Sequence, residues 1–252
     1  HRPDLAVGWF TVVSSEEVEA IVDKTIDYMR SPRDEPWQRN ILWITNESPL
    51  FQQRSDTLAE EMQSRGFRST KIYPSSEEAD NAEHQASLLA ALEKGQAVVH
   101  FLGHGGRYIW RTGPPDFRKN HDLFTLDHLD RLAPTHKLPV VLSMTCYSAP
   151  FDHPTADSIG EKFLRLPDRG AVAVLAASWR NSPTQELSRE ILLALVGSQT
   201  LGEAVLEAKR ATERRDLIET YNLLGDPALV LPVHPDGSET EAARRQPDEA
   251  SP

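Results

Sequence analysis

Four short apolar runs constrain the fold of this chain more than any other feature of its sequence. They are ILWIT (41–45), AVVHFL (97–102), LPVVLSM (138–144) and GAVAVLAAS (170–178). Continuous apolar runs of this length are typical of strands that are buried on both faces, as in a parallel sheet. Amphipathic stretches separate the runs, so we expect an α/β fold in which helices cover both faces of a mostly parallel sheet.

Capping and stop signals predict where the helices lie. A Ser-x-x-Glu capping box at Ser14 begins a helix that continues to about Arg30, and a second box begins at Thr200. Gly66 and Gly95 are placed to end two further helices. The remaining predicted elements are helices over 50–65, 82–94 and near 126–132, two helices after residue 183, and strands in STKIYP (69–74) and PALVLPV (227–233).

The predicted elements form one α/β domain over residues 1–233. No internal repeat divides it. From residue 234 to residue 252 no apolar pattern recurs, so this stretch is predicted to be a disordered tail.

Charge and cysteine content limit the classes of function. A formal net charge of -11 argues against binding nucleic acid or an acidic membrane through bulk electrostatics. No apolar run approaches the ~18 residues that a membrane-spanning helix needs. The chain begins without Met and without a signal-peptide pattern, so we expect an excerpt or a processed form. Its single cysteine, Cys146, cannot form a disulfide within the chain.

Polar residues follow three of the predicted strands. Glu47 follows ILWIT, His104 follows AVVHFL, and Cys146 follows LPVVLSM. In an open α/β sheet the working crevice lies outside the carboxyl ends of the strands. If these strands are neighbours, a thiol, an imidazole and a carboxylate meet there, which is the set that nucleophilic catalysis needs.

The glycines around His104, in GHGG (103–106), fit the same chemistry. A tetrahedral intermediate of acyl transfer needs backbone N–H donors aimed at its oxyanion. The N–H of Gly105 is placed to serve beside His104, and the N–H of Cys146 is the natural second donor. A plain tight turn with a surface histidine is the alternative interpretation of this motif by itself.

At these residues the sequence resembles the gingipain-type cysteine peptidases of the caspase-like clan. The resemblance rests on HFLGHGGRYIW, PVVLSMTCYSAPF, the helix SIGEKFLR and the strand GAVAVLAASW, with framing segments DLAVGWFTVVSSEEVEAIVDKTIDY and YNLLGDPAL. It extends from about residue 4 to residue 233. It implies a caspase-like three-layer sandwich in which the sheet lies between two layers of helices.

The resemblance also implies roles for particular residues. His104 would be the general base, Cys146 the nucleophile and Glu47 the acidic partner of the histidine, unless Glu47 caps the next helix. Ser178 and Trp179 would help to wall the pocket for the residue before the cleaved bond. A preference for a basic residue there would need an acid, for which Asp152 and Asp157 are candidates, although Asp157 is better explained as a charge at a helix N-terminus.

The sequence departs from the family pattern in two places. Thr145 precedes the nucleophile where a small alanine is expected, and the segment from Arg111 to His121 is long and rich in proline. Because the sequence does not choose between Asp152 and Asp157, the residue preference at the scissile bond stays open.

Other chemistries match the sequence less well. His100 and His104 are four residues apart, but on a strand their Cα atoms lie about 13 Å apart, too far to share a zinc ion easily. His100 is instead expected to face the core or to pack against a helix. The serine-hydrolase motif G-x-S-x-G, the papain motif around its cysteine and the P-loop are all missing from the sequence.

We therefore predict a cysteine endopeptidase that acts on protein or peptide substrates through a thioester intermediate. The alternative is a catalytically latent caspase-like module for binding or assembly; the presence of both His104 and Cys146 favours the active enzyme. The chemistry requires no cofactor, although the resemblance implies that a structural calcium ion can occur. It also implies an extracellular or bacterial cell-surface location and an additional domain before this one.

Overall fold

The computed structural model describes residues 2–32, 34–76, 80–113 and 120–231. The strands are β1 (Gly8–Trp9), β2 (Asn40–Thr45), β3 (Arg68–Ile72), β4 (Val98–Leu102), β5 (His104–Gly106), β6 (Ile109–Arg111), β7 (Asp122–Thr125), β8 (Val140–Met144), β9 (Ala173–Ala177) and β10 (Tyr221–Leu224). The helices are α1 (Ser15–Arg30), α2 (Pro49–Gln63), α3 (Ala82–Lys94), α4 (Leu126–Asp130), α5 (Ile159–Arg165), α6 (Glu186–Gly197), α7 (Leu201–Ala211) and α8 (Arg215–Thr220). A 3-10 turn, Pro36–Arg39, precedes β2.

Seven strands form the central sheet, in the order β1-β10-β9-β8-β4-β2-β3. The five strands from β9 to β3 are mutually parallel, and β10 runs antiparallel to β9. Every residue of β4, β8 and β9 is buried. The mostly parallel sheet predicted from the four apolar runs is therefore confirmed.

Helices cover both faces of this sheet and make it the middle of three layers. One apolar core lies between the sheet and α2, α6, α7 and α8. A second core lies between the opposite face and α1, α3, α4 and α5. The fold is a caspase-like α/β fold, as the resemblance implied.

Most helix boundaries follow the local signals. The Ser14 hydroxyl accepts a hydrogen bond from the N–H of Glu17 at 3.3 Å, and Thr200 caps α7 in the same way at 3.2 Å. Gly66 and Gly95 follow α2 and α3 with φ of 88° and 90°, in the left-handed region that glycine adopts without steric cost.

The predicted final strand was wrong. Residues 227–231 are not a strand; the last strand, β10, lies six residues earlier and begins at Tyr221. The carbonyl groups of Pro227 and Leu229 accept hydrogen bonds from Gly202 and Leu201, the first residues of α7. The backbone of this segment therefore satisfies a helix N-terminus instead of a sheet ladder. Residues 232–252, which include the predicted tail at 234–252, lie outside the described residues.

A small three-stranded sheet, in the order β5-β6-β7, stands beyond the end of β4. The interpretation of GHGG as a plain turn was wrong, since His104–Gly106 forms β5 and pairs antiparallel with β6. Trp110, on β6, anchors this sheet to the core by stacking on Phe101 and Phe163 with ring centroids 4.7 and 5.5 Å apart.

Candidate active site

The three strands that precede Glu47, His104 and Cys146 are adjacent in the central sheet. Strand β4 lies between β2 and β8, and in this register Thr45, Leu102 and Met144 are aligned. Because the three strands are parallel, the segments that follow them leave the sheet at one edge. The predicted convergence of these segments at the carboxyl edge is confirmed.

His104 lies on β5, only two residues past the end of β4, and is exposed to solvent. The edge of its ring faces Phe51 of α2, with ring centroids 5.9 Å apart. Within the described part of the chain, neither ring nitrogen makes a hydrogen bond. The imidazole is therefore accessible to a substrate at the carboxyl edge of the sheet.

Cys146 lies two residues past the end of β8, half-buried and as a free thiol. Its Sγ is 3.6 Å from the carbonyl oxygen of Gly105 and donates a hydrogen bond to it. Gly105 directly follows His104, so the segments that carry the thiol and the imidazole are in contact. Tyr147, directly after the cysteine, has φ of 52°, which is unusual for a residue other than glycine.

Thr145 precedes the candidate nucleophile where the family pattern has a small alanine, and its contact with Gly105 explains how the larger side chain fits. Thr145 is fully buried. A Cβ atom built on Gly105 would lie 2.8 Å from Thr145 Oγ1 and 2.9 Å from its Cγ2. The threonine side chain at residue 145 therefore fits because residue 105 is a glycine. A side chain at residue 105 would clash with it, so the residue at one position restricts the residue at the other.

Glu47 lies at the same edge, in the segment that follows β2. Its N–H donates a hydrogen bond to the carbonyl oxygen of Thr112 at 2.6 Å. Its carboxylate lies against Gly113, because a Cβ atom built there would be 2.4 Å from Glu47 Oε1. The alternative that Glu47 caps the next helix is wrong, since the N-cap of α2 is Ser48.

Trp179 and Ser178 lie just past the end of β9, next to the nucleophile's segment. The carbonyl oxygen of Trp179 accepts a hydrogen bond from Tyr147 N–H at 3.1 Å, and its ring meets the Tyr147 ring edge-on with centroids 5.9 Å apart. The Trp179 side chain is 61% exposed. The Ser178 hydroxyl, by contrast, donates to the Thr220 carbonyl at 3.2 Å and accepts from Asn222.

Both candidate pocket acids are paired with arginines of the chain. Asp152 contacts the Arg107 guanidinium, and the hydrogen bond from Arg107 holds the Asp152 pKa below its usual value. Asp157 binds Arg165 of α5 at 2.6 Å. Asp157 immediately precedes the N-cap of α5, Ser158, which confirms its placement at a helix N-terminus.

Sequence reasoning missed Arg107, whose guanidinium contacts the segment after Cys146. The residue stands in the GHGGRYIW motif, but no local pattern connects it to an aspartate 45 positions later. His100 was placed correctly: it is fully buried, and its Nε2 lies 2.9 Å from Ser188 Oγ on α6. Among the described residues no cluster of three or more His, Cys, Asp or Glu side chains is arranged to hold a metal ion.

A three-layer α/β fold with a thiol and an imidazole at the carboxyl edge of its sheet is the architecture of a caspase-like protein. The chain belongs to peptidase family C25, a family of cysteine peptidases, because the model of that family matches residues 1–232. Within the described ranges, none of the helices combines the length and the apolar character needed to cross a membrane.

Among curated proteins, the chain is similar to gingipain R2 and gingipain R1 of Porphyromonas gingivalis. Each is 23% identical over 260 residues, which cover 92% of this chain but 33% and 24% of the respective relatives. The chain thus spans a third or less of these proteins.

Among solved structures, the Arg-specific cysteine proteinase gingipain R matches with a TM-score of 0.74 at 19% identity, over 89% of this chain and 55% of that one. The complex of the Porphyromonas gingivalis RgpB pro- and mature domains matches with 0.76 at 18% identity, over 92% and 57%. At 19% and 18% sequence identity, the similarity to these two structures shows a shared fold.

Proposed function

We propose that this chain is a cysteine endopeptidase in which Cys146 is the nucleophile and His104 the general base. The observation that carries the proposal is the contact of Cys146 Sγ with Gly105, the residue after His104, in a chain of a cysteine peptidase family. The thiolate is the reactive form of cysteine, so the first requirement is a nearby imidazole that can accept the proton of the thiol.

In the proposed reaction Cys146 Sγ attacks the peptide carbonyl carbon while its proton passes to His104. The tetrahedral intermediate collapses to a thioester as the C–N bond breaks and His104 protonates the leaving amine. Water, deprotonated by His104, then attacks the thioester and releases the acid and the Cys146 thiol.

The N–H groups of Gly105 and Cys146 are the proposed oxyanion donors. In an extended strand the N–H and the C=O of one residue point to the same side. Since the carbonyl oxygen of Gly105 contacts Cys146 Sγ, we expect its N–H to point to the same side of the strand. The fixed direction of such donors is what makes them effective on a developing negative charge.

Glu47 is the proposed partner that orients His104 during the reaction; among the described contacts no hydrogen bond joins the two side chains, and the carboxylate lies against Gly113. The position of Glu47 at the end of the strand next to β4 supports this role, and so does its hydrogen bond to the Thr112 carbonyl, which fixes its backbone at this edge. Replacement by glutamine keeps the size of the side chain and removes its charge, so a loss of kcat is expected because the imidazolium is no longer stabilised by a carboxylate.

The substrate is proposed to be a protein or peptide. Trp179 is favoured as a pocket wall, because its exposed ring stands beside Tyr147. Ser178 is the weaker candidate, since its hydroxyl bonds to Thr220 and Asn222 and its N–H donates to the Thr220 carbonyl oxygen. The carboxylate of Asp152 is bound to Arg107, which weakens the case for a basic-residue preference at that position.

An open groove of about 640 Å³ adjoins the hairpin that carries His104. Tyr108, Arg111 and its register partner Asp122 of β7 are among the residues that line it. Arg111 is the register partner of His104, and residues directly opposite on paired strands carry their side chains on the same face. We propose that this groove holds substrate residues on one side of the scissile bond.

The test is cleavage of a mixed peptide library by the wild-type chain and by Cys146→Ala, His104→Ala and His136→Ala. His136 precedes β8 and therefore lies at the opposite edge of the sheet, where it faces Glu35 at 3.8 Å, so its replacement is a matched histidine control. The proposal expects cleavage by the wild type and the control, and none by the other two. Cleavage that survives Cys146→Ala would refute it.

The alternative function, a latent binding or assembly module, predicts a different pattern. The wild type would cleave no peptide, and alkylation of Cys146 by iodoacetamide would proceed at the same rate with and without His104. An extracellular or bacterial cell-surface location is proposed from the family resemblance and is checked by fractionation of the source cells.

A further inference from the structure

Arg107 occupies the turn of the β5–β6 hairpin, three residues after His104. Its side chain is only 12% exposed, although its neighbour in the turn, Tyr108, is exposed. Charged side chains are rarely buried to this extent without partners, so the groups around Arg107 define what it does.

The guanidinium of Arg107 binds the segment that follows Cys146 at four points. Nη2 contacts the Asp152 carboxylate and lies 3.3 Å from the Tyr147 hydroxyl. Nη1 lies 3.0 Å from the carbonyl oxygen of Ala156 and 3.5 Å from that of Pro150. We refer to Arg107, Tyr147, Asp152 and the carbonyls of Pro150 and Ala156 as the Arg107 cluster.

Two members of the cluster, Tyr147 and Asp152, also contact each other, and a backbone hydrogen bond adds a further link. The Tyr147 hydroxyl also donates to Asp152 at 3.3 Å, and the guanidinium carbon lies 5.4 Å from the Tyr147 ring centroid. The carbonyl oxygen of Arg107 accepts a hydrogen bond from the N–H of Ile159, the first residue of α5, at 2.6 Å. The hairpin of the histidine and the segment of the cysteine are therefore joined by side chain and backbone.

The backbone of Tyr147 shows why the contacts between the hairpin and this segment matter for the nucleophile. Its φ of 52° lies in the left-handed region, in the turn that contains Cys146. A left-handed conformation costs a residue with a side chain about 1–2 kcal/mol, so it persists only where its surroundings hold it. The Tyr147 ring contacts both the Arg107 guanidinium and the Trp179 ring, which lies nearly perpendicular to it.

We propose that Arg107 is a positioning residue for the peptidase reaction, which holds the Cys146 segment against the hairpin that carries His104. The proposal rests on the proposed function. It assigns Asp152 to the Arg107 cluster as the counter-charge of Arg107, and not to the substrate pocket.

The two assignments of Asp152 predict different results for Asp152→Asn. If Asp152 is a pocket acid, its replacement should selectively weaken cleavage after Lys or Arg, mainly by raising KM. If Asp152 belongs to the Arg107 cluster, its replacement should lower kcat by the same factor for every peptide of the library and leave the residue preference unchanged.

The experiment measures kcat and KM on the peptide library, and the pH dependence of Cys146 alkylation by iodoacetamide. The variants are Arg107→Ala, Arg107→Lys, Asp152→Asn and, as the control, Arg189→Ala, which removes an arginine paired with Glu61 at 2.9 Å on the remote α6–α2 surface. Since Cys146 is the only cysteine, alkylation reports on it alone.

Arg107→Ala is expected to lower kcat by about 10- to 100-fold with little change in KM, the effect of displacing a reacting group by up to an ångström. It should also move the alkylation profile of Cys146 toward higher pH, toward that of His104→Ala. Arg107→Lys keeps the charge but not the planar fork, so it should recover little of kcat. Arg189→Ala should match the wild type.

Wild-type kcat and an unchanged alkylation profile in Arg107→Ala would overturn the proposal, and so would full recovery in Arg107→Lys, which would indicate a purely electrostatic role. A selective loss of cleavage after basic residues in Asp152→Asn would overturn the assignment of Asp152. If the wild type cleaves nothing, the proposed function fails. The alkylation profiles then still decide whether Arg107 positions Cys146.

Discussion

Replacement of Gly105 by alanine is the substitution whose effect is most directly determined by the geometry of the site. The new Cβ atom would lie 2.8 Å from Thr145 Oγ1, 2.9 Å from Thr145 Cγ2 and 2.9 Å from the Ile109 carbonyl oxygen. Ordinary contacts of a Cβ atom begin at about 3.4 Å, so its neighbours must move by about half an ångström. Two of the three clashing atoms belong to the residue directly before Cys146.

The magnitude follows from two effects. Overpacking in a buried site costs about 1–3 kcal/mol of folding free energy. A shift of half an ångström between the hairpin and the Cys146 segment misaligns thiol, imidazole and oxyanion donor, and a tenfold or greater loss of kcat is expected at about that displacement. Gly105→Ala should therefore be less stable and much less active, although no reacting side chain has changed.

Gly106→Ala is the matched control, because a Cβ atom there meets nothing within 4 Å. Its stability should lie within about 0.5 kcal/mol of the wild type. The double variant Gly105→Ala/Thr145→Ala should recover part of the loss, since the Ile109 carbonyl contact remains. Urea unfolding and peptide cleavage measure both effects. Equal stability and equal kcat in Gly105→Ala and Gly106→Ala would refute the reasoning.

Burial lowers the pKa of His100 to about 3, whereas its unfolded value is 6.5, so the protein should lose stability as the pH falls below about 6.5. Between pH 6.5 and 4.5 the loss is about 2 kcal/mol, and His100→Gln should flatten the pH dependence of Tm while the exposed control His136→Gln should not. Arg111→Ala should raise KM more than it lowers kcat, because Arg111 lines the groove beside His104; an unchanged KM across the peptide library would contradict the substrate role of the groove. Tyr28→Phe should leave stability equal or slightly higher, because the buried Tyr28 hydroxyl has no hydrogen-bond partner among the described residues, whereas Tyr73→Phe should be destabilising through loss of its 3.2 Å contact with Asp56. Urea unfolding of the two variants decides this comparison.

The central strands and most helices were predictable because their signals are local. Each apolar run is buried on both faces, and the capping residues at Ser14 and Thr200 satisfy their own helix ends. That the segments carrying Glu47, His104 and Cys146 leave the sheet at one edge followed from one topological rule about parallel sheets.

The elements that were missed depend on distant partners. Strands β5 and β6 have three residues each, and the first contains two glycines, so periodicity carries no information there. Strand β10 was misplaced because YNLL mixes polar and apolar residues and PALVLPV is the more apolar segment. The Arg107 cluster joins residues about 40 to 50 positions apart, and no spacing rule connects them.

The most direct test of the peptidase account is to look for the thioester on Cys146. The wild-type chain is mixed with a peptide that it cleaves, quenched in acid at successive times, and its intact mass is measured. The account predicts a transient gain equal to the N-terminal part of the peptide less one water, mapped to Cys146, reversed by hydroxylamine and absent in Cys146→Ala. Peptide cleavage with the protein unmodified at every quench time, or with the adduct on another residue, would contradict it.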